Sequence, residues 1–257
     1  MAALAVASSP DPVVRCRSIT KYFGGVQALA NVSLSLYPGE VLCVVGDNGA
    51  GKTTLSKIIC GQLHPDAGDI WIAGRPRPRL TPLKALELGI AIVPQDLALC
   101  ENLGASDNVM LGHEPVQLTL GPIRFLDSSR ARREALKQIN EVGVQIEKLD
   151  IPVRTMSGGQ RQAIAIARAM VRGSTLIVFD EPTAALGVRQ TEATIQLIKR
   201  VARRQIAVMV ISHSLKDVMA LADRIVALRL GEVIMDKPVG ETTAQEVGAA
   251  MSSGRQH

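Results

Sequence analysis

VLCVVGDNGAGKTTLSKII, residues 41–59, runs an apolar segment straight into a glycine-rich loop and then into a helix-forming segment. The unbroken apolar run Val41 to Val45 predicts a strand buried on both faces. Gly46, Gly49 and Gly51 permit a tight turn whose backbone N–H groups converge, and the start of the following helix adds partial positive charge. Lys52 is then placed to reach β- and γ-phosphates, and Thr53 offers a hydroxyl to Mg²⁺. Gly46, Asn48, Gly49, Ala50, Gly51, Lys52, Thr53 and Thr54 are therefore the candidate contacts to a nucleoside triphosphate. The competing reading is an ordinary glycine-rich turn; the flanking strand and helix weigh against it.

Outward from this loop, short apolar runs recur at Ile90–Val93, Leu176–Phe179, Ala207–Ile211 and Ile225–Leu228. Helical patterns separate several of them, as Gln190 to Arg203 does between the runs at 176 and 207, so the order is βαβ and the sheet mostly parallel. Val13 to Tyr22 and Val32 to Tyr37 alternate polar and apolar residues around Pro38-Gly39, which predicts an antiparallel edge sheet. From Gln95 to Met156 no strand is expected. Ser128 to Val142 has the spacing of an amphipathic helix, with Ala131, Leu136, Ile139 and Val142 on one side and Arg130, Arg132, Arg133 and Lys137 elsewhere, most simply in solvent. RPRPRL, residues 75–80, reads as a basic extended loop.

At 257 residues the chain fits one domain with an inserted lobe better than two independent domains. No apolar run approaches the roughly 20 residues that span a bilayer. MAALAVASSP, at the start, carries no Lys or Arg and is expected to be a frayed terminus rather than a secretory signal. Cys16, Cys43, Cys60 and Cys100 form no metal-ligand pattern and are expected to be reduced structural thiols. A net charge of +5 suits either an anionic partner or a mildly basic solvated surface; aromatics at 2% leave few platforms for stacking nucleic-acid bases.

Two further stretches carry chemistry. LIVFDE, residues 176–181, ends an apolar strand in two carboxylates, and in such sheets ligands gather at the carboxyl ends of strands, where the Gly46–Thr53 loop also lies. Asp180 is then positioned to hold Mg²⁺ and Glu181 to act as general base on an attacking water. TMSGGQRQ, residues 155–162, precedes a helical segment: Ser157 can cap it, and Gly158-Gly159 exposes N–H groups at a second anion-seeking end. An ordinary capped helix fits that stretch equally well on physical grounds.

The phosphate loop, Gln95 after a strand, SGGQ at 157–160, LIVFDE at 176–181 and His213 after the 207–211 strand occur in the order seen in ATP-binding cassette (ABC) proteins, and the chain resembles that family along nearly its whole length. The resemblance implies an α/β fold: a phosphate-loop NTPase core with a mostly parallel sheet, an N-terminal antiparallel β subdomain and an inserted α-helical subdomain. Residues 1–257 would form a single ATPase domain, with 12–95 and 163–240 as the nucleotide-binding core and 96–162 as the helical lobe. It also implies that two copies pair head to tail, with ATP between the phosphate loop of one and the SGGQ turn of the other. Ser157, Gly158, Gly159 and Gln160 would then contact the partner's nucleotide. By the same resemblance Gln95 senses Mg²⁺ and the attacking water, His213 contacts the γ-phosphate, and Tyr22 in KYFGGVQAL stacks on adenine. In one place the chain departs from the pattern: EPTAALG puts Gly187 where many cassettes have an Asp that crosses the dimer interface, so no such role is assigned to it.

GDNGAGKTT, VPQDLALCENLGASDNVMLG, DEPTAALGV and ISHSLKDVMALADRIVALRLGEV look like the ribose, xylose and fructose importer class, in its single-cassette branch. That implies an ATPase on the cytoplasmic face of a bacterial inner membrane, a homodimer joined to permease subunits and served indirectly by a periplasmic sugar-binding protein, with ATP and Mg²⁺ as ligands and no nucleic acid. The 96–113 segment would receive the permease's cytoplasmic helix. A soluble cassette ATPase acting on DNA, ribosomes or a cofactor-assembly scaffold is the alternative.

Overall fold

The computed structural model describes residues 11–171, 174–184 and 186–252, so the expectation for MAALAVASSP lies outside the described residues. In chain order the first part comprises strands β1 (Val14–Phe23), β2 (Val26–Leu36) and β3 (Val41–Val45), helix α1 (Lys52–Ile59), strands β4 (Ala67–Ile72) and β5 (Arg75–Pro76), helix α2 (Pro82–Glu87) and strand β6 (Ile90–Val93). Helix α3 (Ala105–Met110), strands β7 (Val116–Leu120) and β8 (Ile123–Leu126) and helices α4 (Ser128–Val142) and α5 (Gly158–Met170) follow. Then come β9 (Leu176–Asp180), α6 (Val188–Arg203), β10 (Ala207–Ile211), α7 (Leu215–Leu221), β11 (Arg224–Arg229), β12 (Glu232–Pro238) and α8 (Ala244–Ser252).

The central sheet has the order β12-β11-β3-β10-β9-β6, with every pair parallel except β11 with β12. Its parallel strands β3, β6, β9, β10 and β11 read as apolar runs because both faces are covered, whereas the antiparallel edge strand β12 is largely exposed. Val41, Cys43 and Val45 pack with Phe179, Val210, Ala163 and Ile198 on one side, while Leu42 and Val44 pack with Leu55, Ile58 and Ile59 of α1 and with Val14 and Leu36 of the antiparallel sheet on the other. That second sheet has the order β2-β1-β4-β5. Burial pushes the Cys16 and Cys60 thiols up to about 12, which leaves them inert. Cys100, by contrast, is exposed and does not fit the expectation of a structural thiol.

Sheet order places the site. β3, β10, β9 and β6 are neighbours and parallel, so their carboxyl ends stand in a row at one edge. The Gly46 loop, Ser212-His213, Asp180-Glu181 and Pro94-Gln95 follow those four ends in that spatial order.

Three expectations change. The segment expected to hold no strand contains the β7–β8 hairpin, closed by the two residues Gly121-Pro122. Leu118 faces Phe125 and Leu120 faces Ile123 across it, and all four side chains are exposed, so the alternation is real but serves no core of this chain. In α4 the inward face is Ala135, Ile139 and Val142, with Ala131 packed beside them; Leu136 is 39% exposed, because it lies about 100° around the helix from Ala135. Within 75–80, Arg75-Pro76 pairs with Trp71-Ile72 as a short edge strand and Leu80 is buried, so the stretch is anchored at both ends.

Candidate functional site

Gly46 closes β3 at φ +148°, and a Cβ there would come within 2.2 Å of the Leu228 carbonyl oxygen. Gly51, at φ +103°, passes equally close to β2, with a Cβ 2.5 Å from the Ala28 oxygen. Only glycine lets the loop lie this tightly between β2 and β11. Gly51 also occupies the cap position of α1 and offers no side chain, so the first-turn N–H groups have no side-chain acceptor and remain available to an anion.

Lys52, the first residue of α1, is buried and folds back over the loop, its Nζ donating to the Gly46 oxygen at 2.7 Å and the Asp47 oxygen at 2.9 Å. Burial lowers its pKa, against the opposing pull of Glu181, Asp47 and Asp180. Two backbone carbonyls are weak company for an ammonium, whereas a polyphosphate would supply full negative charge.

Across the cavity, burial and then the charge of Glu181 raise the pKa of Asp180. Glu181 itself is left-handed at φ +47°, a conformation costing on the order of 1–3 kcal/mol in a non-glycine residue. A bond from its N–H to the Ile211 oxygen, 2.9 Å, ties that strained turn to the end of β10. The result aims the carboxylate at His213, whose Nδ1–H donates to Glu181 Oε1 at 2.8 Å. His213 is exposed while the Glu181 side chain is largely covered, so the imidazole forms the outer lip of the pair.

These groups enclose a cavity of about 410 Å³ lined by Asn48, Gly49, Ala50, Gly51, Lys52, Thr53, Thr54, Gln95, Asp180 and Glu181, with Phe23, Ala28 and Ile211 completing the wall. Nearly all the residues chosen from the phosphate loop and strand ends thus meet in one place; Gly46 and His213 do not line the cavity but touch it through Lys52 and Glu181 respectively. Tyr22 does not line the cavity: it is half-exposed on β1, and the aromatic on the wall is the next residue, Phe23. Successive residues of a strand point to opposite faces, so one position decides which ring the cavity meets. Lys21 holds Asp66 at 2.9 Å and the Tyr22 N–H donates to Asp66 at 2.6 Å, which fixes the end of β1 in that register. Sequence reading missed Phe23; the Gly24-Gly25 turn behind it was the available signal.

The SGGQ turn is built differently. Ser157 Oγ accepts from the Gln160 N–H at 3.3 Å and Gln160 Oε1 accepts from the Ser157 N–H at 3.0 Å, a reciprocal capping box at the start of α5. Gly158 and Gly159 take no part in the box, and a Cβ on Gly159 would meet no atom of the described residues within 4 Å. None of Ser157, Gly158, Gly159 and Gln160 lines the cavity. Gly187 caps α6 and likewise faces open space.

A sequence profile of the ABC transporter family matches residues 29–184. The chain is 41% identical over 224 residues to a fructose import ATP-binding protein of Rhizobium meliloti, covering 86% of each. It is 36% identical over 241 residues to a xylose/arabinose import ATP-binding protein of Sulfolobus acidocaldarius, covering 94% of each. A ribose import ATP-binding protein of Rubrobacter xylanophilus is 39% identical over 236 residues; 92% of this chain spans only 45% of that protein. Among solved structures, a dimeric ATP-binding cassette in a post-hydrolysis state with ADP and Pi superposes with a TM-score of 0.72 at 28% identity, covering 88% of this chain and 98% of that one. The ADP conformation of another ABC transporter cassette, at 22% identity and a TM-score of 0.80, covers 95% and 96% and shares the fold.

Proposed function

The chain belongs to the ABC transporter family, and from that premise we propose that it is the ATP-hydrolysing subunit of a bacterial carbohydrate importer, working as a head-to-tail pair of identical copies. The observation that carries this reading is an asymmetry within one chain: a phosphate loop, base and histidine around one cavity, and a capped SGGQ turn that stands outside it. Each piece is half of a site. The other half comes from the second copy, whose Ser157, Gly158, Gly159 and Gln160 close over the γ-phosphate.

In this reading Lys52 leaves the Gly46 and Asp47 carbonyls for the β- and γ-phosphates, and the N–H groups of residues 48–54 surround the phosphates. Phe23, rather than Tyr22, lies against the adenine. Glu181 accepts a proton from the attacking water, and His213 holds the Glu181 carboxylate in line while reaching the γ-phosphate. The donors suit Mg²⁺: Thr53, Gln95 and Asp180 are all oxygen ligands, one of them a carboxylate, and this ion is commonly held by one or two carboxylates together with substrate phosphates. Asp180 also gains from a cation, because its ionised form is disfavoured by burial and by Glu181. Bound there, Mg²⁺ would neutralise charge on the phosphates.

Residues 96–162 form the lobe that carries the SGGQ turn, and within it the 96–113 segment takes the permease's cytoplasmic helix. No helix among the described residues is long and apolar enough to cross a membrane. In this reading separate permease subunits supply the pathway and this chain sits on their cytoplasmic side. A periplasmic binding protein would deliver the sugar. No nucleic acid is expected.

Sedimentation of the Glu181→Gln variant tests the composite site. Saturating ATP and Mg²⁺ should convert it from monomer to dimer, since each nucleotide then bridges two chains and is not consumed. A monomer under those conditions sinks the head-to-tail pair.

A further inference from the structure

The segment after Gln95 is strained and then clamped from a distance. Leu97 and Ala98 are both left-handed, at φ +61° and +44°, a conformation that alanine and leucine rarely adopt. Two consecutive residues of this kind persist only where their surroundings over-determine them. The determinant is Arg168, on α5: Nη2 donates to the Leu97 oxygen and Nη1 to the Ala98 oxygen, both at 2.7 Å. Burial opposes the guanidinium charge, and Asp96 beside it partly offsets that penalty. A second side chain holds the far end of the same loop. Asn108, fully buried on α3, accepts from the Cys100 N–H at 2.8 Å and donates to the Cys100 and Gly104 oxygens at 3.0 Å.

α5 begins at the Ser157 cap and carries Arg168 in its last turn, roughly 16 Å along the same rigid rod. The helix that presents the SGGQ turn at one end therefore grips the loop bearing Gln95 at the other. We propose that Arg168 is a positioning residue: its planar fork fixes the Leu97–Ala98 turn, sets the reach of Gln95 into the cavity, and makes the Gln95 loop and the SGGQ helix move as one body. The inference rests on the reading of Gln95 as a working member of the ATP site. A lysine cannot replace the fork, because its single ammonium lacks the fixed bidentate geometry that spans two adjacent carbonyls.

The test is a cycle on the full chain, measuring kcat and KM for ATP in wild type, Gln95→Ala, Arg168→Ala and the double variant, with Arg168→Lys as the milder substitution. A misplaced contact group costs up to about a hundredfold, so Arg168→Ala should lower kcat by roughly ten- to a hundredfold while KM for ATP stays within about threefold. Arg168→Lys should recover only part of kcat. The double variant should be no slower than Gln95→Ala alone, which a merely structural role for Arg168 would not produce. Amide exchange at residues 97–103 should quicken in both Arg168 variants. A multiplicative loss in the double variant, or full turnover in Arg168→Ala, overturns the proposal. Full turnover in Gln95→Ala instead overturns the reading of the site beneath it, and the proposal with it.

Discussion

Two helix N-termini of this chain invite a phosphate, and they are finished in opposite ways. α1 starts at Gly51, which has no side chain to offer its first turn, and the loop before it is pressed between Leu228 and Ala28 so tightly that a Cβ cannot enter. α5 starts at Ser157 with a closed capping box and open space in front of Gly159. The first end is shaped by its own chain and left unsatisfied. The second is satisfied by its own chain and left unshaped. A glycine required by internal packing and a glycine required by nothing internal report different constraints, and the second kind points outward to another molecule.

The largest effect that sharpens this contrast is expected at the base. Glu181→Gln keeps size and shape but cannot accept the proton, so turnover should fall by about 10² to 10⁴ while ATP affinity is retained. Single-turnover hydrolysis alongside equilibrium binding of a fluorescent ATP analogue separates the two quantities. Unchanged hydrolysis removes Glu181 from the base role and leaves its strained turn without a function.

Next in size is a pair of identical substitutions at the two ends. Gly46→Ala forces a Cβ against a backbone oxygen at a positive φ, and should destabilise the fold by about 2–4 kcal/mol. In a domain of this size that is a drop in Tm of very roughly 5–15 °C. Gly159→Ala enters open space in the first turn of a helix and should leave Tm unchanged or raise it by about 1–2 °C. Its cost should appear only in turnover, because the new methyl group meets the partner's nucleotide. Thermal unfolding in the absence of ATP, together with ATPase rates, reads both outcomes. If Gly159→Ala hydrolyses ATP normally, the turn belongs to a capped helix and nothing more.

Much of this was legible in the chain and some was not, for identifiable reasons. β3, β6, β9, β10 and β11 are announced by apolar runs because a strand covered on both faces has no polar positions to interrupt it. Their spatial order is not announced. β10 inserts between β3 and β9, and only this crossover brings His213 beside Glu181 across 32 residues of sequence. The β7–β8 hairpin was legible and was missed: Val116, Leu118 and Leu120 alternate with polar residues up to the Gly121-Pro122 turn, although these apolar side chains stay exposed instead of joining a core of the described residues. Phe23 against Tyr22 is a choice of strand face, and a one-residue difference reverses it. The Arg168 clamp joins residues 70 and 71 positions apart through two backbone carbonyls, which have no residue identity to read.

The smallest expected effect concerns Asp180, and it asks whether the α1 end is tuned for a ligand at the expense of the empty fold. Its folded pKa is raised, first by burial and then by the negative charge of Glu181. A raised carboxylate pKa means that the folded chain binds the proton more tightly than the unfolded chain, so ionised Asp180 opposes folding. That opposition is absent below the unfolded value near ~3.9, grows as pH rises toward the folded pKa, and is constant above it. Asp180→Asn removes the charge, so without nucleotide its Tm should match that of wild type at about pH 3.5 and exceed it by a degree or two at pH 7 to 8. With ATP and Mg²⁺ the order should reverse, because the wild-type carboxylate then has a cation to hold and the amide is a poorer ligand. A variant less stable than wild type at neutral pH without nucleotide would mean that Lys52 and Lys57, whose charges pull the Asp180 pKa down, outweigh burial and Glu181. The α1 end would then be as self-satisfied as the SGGQ turn, and the contrast between the two ends would lose its electrostatic half.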